Sequence, residues 1–246
     1  MRPAVDALSR RFDVRTFSLN DAARSLDDYR PQVSHAIDDA RVDSAVICGV
    51  SFGGLVALRF AATQPARTRA LVLASTPGPG FSLRPRHRIY ARLPWLCGPL
   101  FLAESPWRLR REIAAAFPDP SQRRAFRRAA LATVVRAPLS LSAMGRRALL
   151  MGSHDAAADC ARVTAPTLVV TGEPSLDYVV PVDGSSAYAQ MISGARAAVL
   201  ERTGHIGTIT RPDAFALLVG EFVERAAGNA NVEARNPKLG TPDAAA

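Results

Sequence analysis

The stretch Ala45-Val46-Ile47-Cys48-Gly49-Val50-Ser51-Phe52-Gly53-Gly54 runs from a short apolar, β-branched segment into Leu55–Ala62, which is apolar on a helical period. The first part reads as a strand and the last as a helix. Between them Ser51 is flanked by Gly49 and Gly53, two residues away on either side. A sharp strand-to-helix turn holds its central residue in a strained backbone and projects its hydroxyl out of the sheet. Near-absent side chains at 49 and 53 are expected to let the two backbones pass closely there. The helix that follows points its first N–H groups at the same place, where they stabilise developing negative charge. Ala70–Ala74 is a second buried strand, so the segment is a strand–helix–strand unit. Such units build parallel sheets.

Further along, Asp6–Arg11 is expected to be helical and Val14–Ser18 a strand. Tyr29–Ala40 is expected as an amphipathic helix with Val33, Ala36, Ile37 and Ala40 on one face. Ala45–Cys48 has the composition of a strand buried on both faces. After Ser75-Thr76-Pro77-Gly78-Pro79-Gly80 the β-branched runs stop. Arginine-rich amphipathic segments take over, Trp107–Phe117 and Ser121–Val135 among them, punctuated by prolines. Thr167–Thr171 and Ala197–Leu200 resume the strands, with helices expected at Ser185–Ile192 and Asp213–Ala227. The fold class is therefore α/β, a mostly parallel sheet flanked by helices. Its expected division is a core of 1–79 and 161–227, a helical cap inserted at 80–160, and a disordered tail at 228–246.

The 246 residues suffice for one domain with an insertion. There is no run of about 18 uninterrupted apolar residues and no signal-peptide core, so a cytoplasmic protein without a transmembrane segment is expected. Cys48, Cys97 and Cys160 fit no metal spacing and are expected as free thiols, Cys48 as a buried strand residue. The formal charge of +9 is concentrated: residues 81–151 carry fourteen arginines against Glu104, Glu112 and Asp119. No interleaved aromatics or recognised module accompany them, so nucleic acid is not the expected partner. Two readings of this charge stand side by side: solvated helix faces, or a surface that steers an anionic substrate or partner.

A serine nucleophile requires a general base, and the base an orienting acid. Of the four histidines, His35 precedes the serine turn, while His87 and His154 fall in the insertion. His205, in Arg202-Thr203-Gly204-His205-Ile206-Gly207, follows the last strand, where α/β proteins place their chemistry. For the acid, Asp177 in the segment after Thr167–Thr171 is the first choice, with Glu173 and Asp183 as alternatives.

With these residues in place, the chain resembles an α/β-hydrolase of the esterase, lactonase and haloperoxidase-like group with a helical cap. The resemblance rests on Gly49-Val50-Ser51-Phe52-Gly53-Gly54, on Ala165–Gly172 leading to Asp177 and Val180-Pro181, and on Thr203-Gly204-His205 with Pro212 and Phe215. It implies Ser51 as nucleophile, His205 as base, Asp177 as acid and the Phe52 N–H as one oxyanion donor. It implies neither metal nor organic cofactor, and a small-molecule acyl substrate, to which the arginines add a leaning toward anionic character. Phe81, Tyr90, Leu93, Trp95, Leu96, Phe101 and Trp107 would supply the apolar lining. The expected activity is cleavage of a carboxylic ester, thioester or lactone. Relatives of the group also include lyases and acyltransferases, whereas dehalogenase-like members carry aspartate in place of Ser51.

The chain departs from the family pattern before Gly49, where it has no glycine and hence no His-Gly loop to supply a second oxyanion N–H. Val14–Ser18 would align with the fourth family strand. Two expectations follow: an N-terminally shortened version of a complete enzyme, or a reduced member with weakened catalysis or none.

Overall fold

A computed structural model describes residues 2–137, 140–152 and 155–235 of the chain. Four strands, β1 (Ala45–Val50), β2 (Thr68–Ala74), β3 (Thr167–Thr171) and β4 (Arg196–Val199), pair in that order and are all parallel. Alternation along the strands makes two cores. Leu71, Leu73 and Val169 face one way, onto α2 (Arg30–Asp39) and α3 (Phe52–Thr63). Ala70, Val72, Leu168 and Val170 face the other way, onto α1 (Arg2–Leu8) and α12 (Pro212–Arg235). Leu71, Val72 and Leu73 are fully buried. Each such side chain contributes roughly 1.5–3 kcal/mol of burial.

Helices α4 (Pro85–Arg92), α5 (Pro94–Arg108), α6 (Arg110–Ala116), α7 (Pro120–Arg136) and α8 (Leu141–Met151) lie between β2 and β3 in sequence. The expected segment Trp107–Phe117 is thus two helices, divided at Leu109. α7 starts at Pro120 behind Asp119, whose side chain accepts from Ser121 N at 2.8 Å. None of its described residues is buried. The next helix, α9 (Ala156–Cys160), packs back on the sheet side, where Ala156 and Cys160 join the cluster around α3. α10 (Val182–Met191) connects β3 to β4, and the short α11 (Gly207–Thr210) precedes α12.

Several local expectations are corrected. Val14–Ser18 is not a strand, because its neighbourhood is bound by side chains instead of a ladder. Gln32 Nε2 donates to Ser18 O at 3.2 Å and Arg147 Nη2 to Leu19 O at 2.9 Å. The first helix ends at Leu8 and does not reach Arg11, since it is Ala4, Ala7 and Leu8 that pack toward α12. β1 is an edge strand, half-buried along most of its length, and Cys48 is exposed. The three cysteines are free thiols. α12 continues to Arg235, beyond the helix end expected at Ala227, so the first residues assigned to the tail are helical. Residues 236–246 of that tail, and His154, lie outside the described residues. Among the described residues no helix is long and apolar enough to cross a membrane, and no His/Cys/Asp/Glu group could hold a metal.

Candidate active site

Ser51 sits at φ 53°, ψ −126°, between the end of β1 and the first residue of α3. A positive φ at a non-glycine residue is strained and persists only where the surroundings fix it. Here Ser51 N donates to Ala74 O at 2.8 Å, and Gly54 N donates back to Ser51 O at 2.8 Å. A Cβ on Gly49 would fall 2.3 Å from Gly53 O, so glycine is required at 49. The expectation for Gly53 is corrected: a Cβ there would meet nothing within 4 Å. The crowded neighbour is Gly54, whose Cβ would fall 1.9 Å from Thr76 Oγ1. The crowding at 53 is of its backbone, pressed by Gly49, and not of any side chain it could carry.

His205 reaches Ser51 from the loop after β4. Its Nε2 lies 3.0 Å from Ser51 Oγ, within hydrogen-bond distance. Its Nδ1 faces Asp177 Oδ2 at 3.4 Å. Asp177 is held from its other oxygen, Oδ1 accepting from Val179 N and Val180 N, both at 2.9 Å. The two loops touch at Gly204, where a Cβ would fall 2.4 Å from Leu176 O. Phe52 opens α3, so its N–H has no preceding helical carbonyl to bond and sits beside Ser51.

The other candidates fall elsewhere. Glu173 binds the histidine loop from below, its N donating to Thr203 O at 2.8 Å and its Oε1 accepting from Arg202 N at 2.6 Å. Asp183 is exposed in the first turn of α10. His35 pairs with Asp39 at 3.4 Å on the surface of α2.

Sequence reasoning passed over Glu112. This α6 residue is fully buried against the histidine loop and accepts from Ile206 N at 2.9 Å. Burial first of all, and the Asp177 charge as well, push its carboxyl up to about 7; the Gly204 and Ile206 N–H groups and His205 pull the other way. The one available signal was an acidic residue beside Ile113 and Ala116 in an otherwise basic segment.

A cleft of about 1150 Å³ opens beside Asp177, walled by Phe81, Arg86, His87, Trp107, Arg108 and Tyr178. Ser51 and His205 do not line it, so it flanks the acid and not the serine. Arg86 and Arg108 share the single carboxylate of Glu104, at 2.7 and 3.8 Å. His87 is held below its ordinary range, first by burial and then by Arg108, Arg86 and Arg84, as expected in a positive field. Of the apolar residues expected to line a pocket, Phe81 and Trp107 do so. Leu93, Trp95 and Leu96 are exposed, and the side chain of Phe101 lies outside the described residues.

The chain is 29% identical over 192 residues to the pimeloyl-[acyl-carrier protein] methyl ester esterase of Aromatoleum aromaticum, covering 74% of each. Its fold is similar to that of the enol-lactonase from Burkholderia xenovorans LB400, with TM-score 0.68 and 24% identity over 90% of this chain and 85% of the other. An esterase from Exiguobacterium antarcticum matches with TM-score 0.69 at 16% identity, over 90% and 87% of the two chains. The model of the alpha/beta hydrolase family matches residues 4–217. A strained serine at a strand-to-helix turn, a parallel sheet around it and a match spanning most of the chain lead to one assignment: this protein belongs to the alpha/beta hydrolase family.

Proposed function

We propose that the protein is a serine hydrolase that cleaves a carboxylic ester, thioester or lactone. The observation that carries this reading is the line from Ser51 Oγ to His205 Nε2 at 3.0 Å and from His205 Nδ1 to Asp177 at 3.4 Å. Ser51 Oγ attacks the carbonyl carbon while His205 Nε2 takes its proton, and Asp177 stabilises the imidazolium. The carbonyl π-electrons move onto oxygen, which the Phe52 N–H faces. Collapse expels the alcohol or thiol, protonated by His205, and leaves Ser51 acylated. Water then attacks the acyl-enzyme with His205 again as base, releasing the acid and restoring Ser51.

The relative named as a methyl ester esterase supports ester chemistry. The arginine-walled cleft beside Asp177, in the helical cap, favours small acyl substrates carrying a carboxylate or phosphate. A second reading, a binding protein or acyltransferase of the same fold, is favoured by one observation. Residues 1–48 hold no glycine, and residues 2–44 fold as helices and irregular chain before β1 begins, so no counterpart of the family's second oxyanion donor is described there. Loss of one such donor typically costs ~10²–10³ in turnover.

Reaction with a fluorophosphonate probe, with S51A and H205A as controls, tests the hydrolase reading. Labelling of the wild-type chain that both substitutions abolish is the expected result. A folded wild-type sample that is not labelled at Ser51 overturns it. Labelling with acyl-enzyme that water does not release favours the second reading.

A further inference from the structure

Glu112 is an anomaly on energetic grounds. A carboxylate with no exposed surface, one of whose oxygens has no hydrogen-bond partner, opposes folding whenever it is ionised. Glutamine would offer the same Oε1 acceptor without the charge. The residue nevertheless sits where the helical insertion meets the catalytic loop, and the contacts there are specific. Oε1 accepts from Ile206 N at 2.9 Å, and the Gly204 N–H also faces the carboxylate. These two amides flank His205. From the loop side, Arg202 Nε donates to Ala115 O at 3.1 Å and Nη2 to Ala116 O at 3.4 Å, binding the end of the same helix. The loop therefore grips α6 and α6 grips the loop, on both sides of the histidine that reaches Ser51.

We infer that Glu112 is a positioning residue for His205, through which helix α6 of the insertion sets the orientation and charge environment of the catalytic base. The inference rests on the hydrolase reading above. Two effects are separable. Acceptance of the flanking N–H groups fixes the loop that carries the imidazole, and an amide oxygen can do this as well as a carboxylate. The negative charge faces the imidazolium that forms each time Ser51 gives up its proton, and only the ionised carboxylate supplies it. The charged and titratable groups facing Glu112 are His205 and Asp177, with the Arg202 guanidinium bound to the end of its helix. Since Glu112 gains its charge at about pH 7, the second effect grows through neutrality while the first does not.

The test measures kcat and KM for p-nitrophenyl butyrate and the rate of fluorophosphonate labelling from pH 5.5 to 8.5, for wild type, E112Q and E112A. We expect E112A to be slower than E112Q by about tenfold or more at every pH, in kcat and not KM, because only the amide keeps the loop in place. We expect wild type and E112Q to be alike at low pH and to diverge several-fold, in favour of wild type, as pH rises past 7. Melting curves establish that each variant is folded; should E112A not fold, E112D, whose shorter side chain withdraws the acceptor, replaces it. Equal rates for E112A and E112Q overturn the inference, as does a wild-type to E112Q ratio that is flat with pH. A wild-type chain without Ser51-dependent labelling fails at the earlier step and removes both readings together.

Discussion

Thr76 Oγ1 occupies the space that a Cβ on Gly54 would need, the two points lying 1.9 Å apart. Thr76 itself is almost fully buried at the end of β2, so it has no room to yield. We expect G54A to cost at least 1–3 kcal/mol of stability, the range of overpacked cores, whereas G53A costs no more than about 1 kcal/mol. Truncation of the neighbour, in the double variant G54A/T76A, should recover part of the loss. Urea midpoints of the four proteins check this; equal midpoints for G53A and G54A would contradict the geometry.

Asp177 Oδ2 lies 3.4 Å from His205 Nδ1, whereas Glu173 accepts from Arg202 N and Asp183 is exposed on α10. D177N keeps Oδ1 as acceptor for Val179 N and Val180 N and should fold, yet its amide cannot stabilise the imidazolium. A fall in kcat of up to ~10⁴ is expected by the template of other serine triads. D183N should leave kcat unchanged, and E173Q should alter it less than tenfold because its Oε1 still accepts from Arg202 N. Steady-state kinetics on an activated ester separates the three.

Arg59 on α3 binds Asp27 through Nε at 3.0 Å and Nη2 at 2.9 Å, and Asp159 through Nη1 at 2.8 Å. Asp159 has no exposed surface. Removing the guanidinium in R59M takes a 2.8 Å ionic partner from a buried carboxylate and should cost about 3–5 kcal/mol. D159N placed on R59M should recover part of the loss, because the buried charge is gone. Asp27 carries the pH signature: hydrogen bonding to Arg59 first, then the Arg59 and Arg30 charges, hold its carboxyl below the usual range against partial burial. Its contribution is therefore complete above the unfolded carboxylate value and is lost as pH falls through the lower folded one. Thermal melts between pH 5 and 2 should show less acid sensitivity in R59M than in wild type.

Glu112 carries the opposite signature. Its carboxyl is raised from 4.5 to about 7 by burial, so the folded state holds a proton that the unfolded state has released. Stability therefore declines as pH rises from about 4.5 and levels off above about 7, by an amount on the order of 3 kcal/mol. E112Q should flatten this decline and melt above wild type at pH 8. A wild-type minus E112Q difference that does not change between pH 5 and 8 would refute it.

How far the site was legible follows from how local its signals are. Ser51, Asp177 and His205 each follow a strand end within a few residues, and Gly49 and Gly204 mark the tight passages beside them. Glu112 carries no such mark, because its role comes from the packing of α6 on residues 204–206, which nothing near 112 encodes. Gly53 and Gly54 could not be ranked from sequence, since the difference between them is the buried Thr76 side chain. The parallel strands and the helical insertion could be read from the loss and return of β-branched runs. Val14–Ser18 has strand composition but forms none: its segment bonds to Gln32 and Arg147, so β1 remains at the sheet edge and Cys48 is exposed. Composition also marked residues after Gly228 as a tail, although Val223 and the residues before it anchor α12, which carries on to Arg235.

The pairing of Leu71 with Thr167 spans the whole helical insertion. Loop-closure entropy rises only logarithmically with length, about 0.6 kcal/mol per doubling, so the insertion could grow or shrink at little thermodynamic cost. Its kinetic cost is larger, because non-local pairing of this kind is slow. A chain that emerges from the ribosome N-terminus first presents Ser51 long before β3, Asp177 and His205 exist to use it. Under the hydrolase reading, the serine waits without its partners through most of its own synthesis, and the last of them arrives only in the loop after β4.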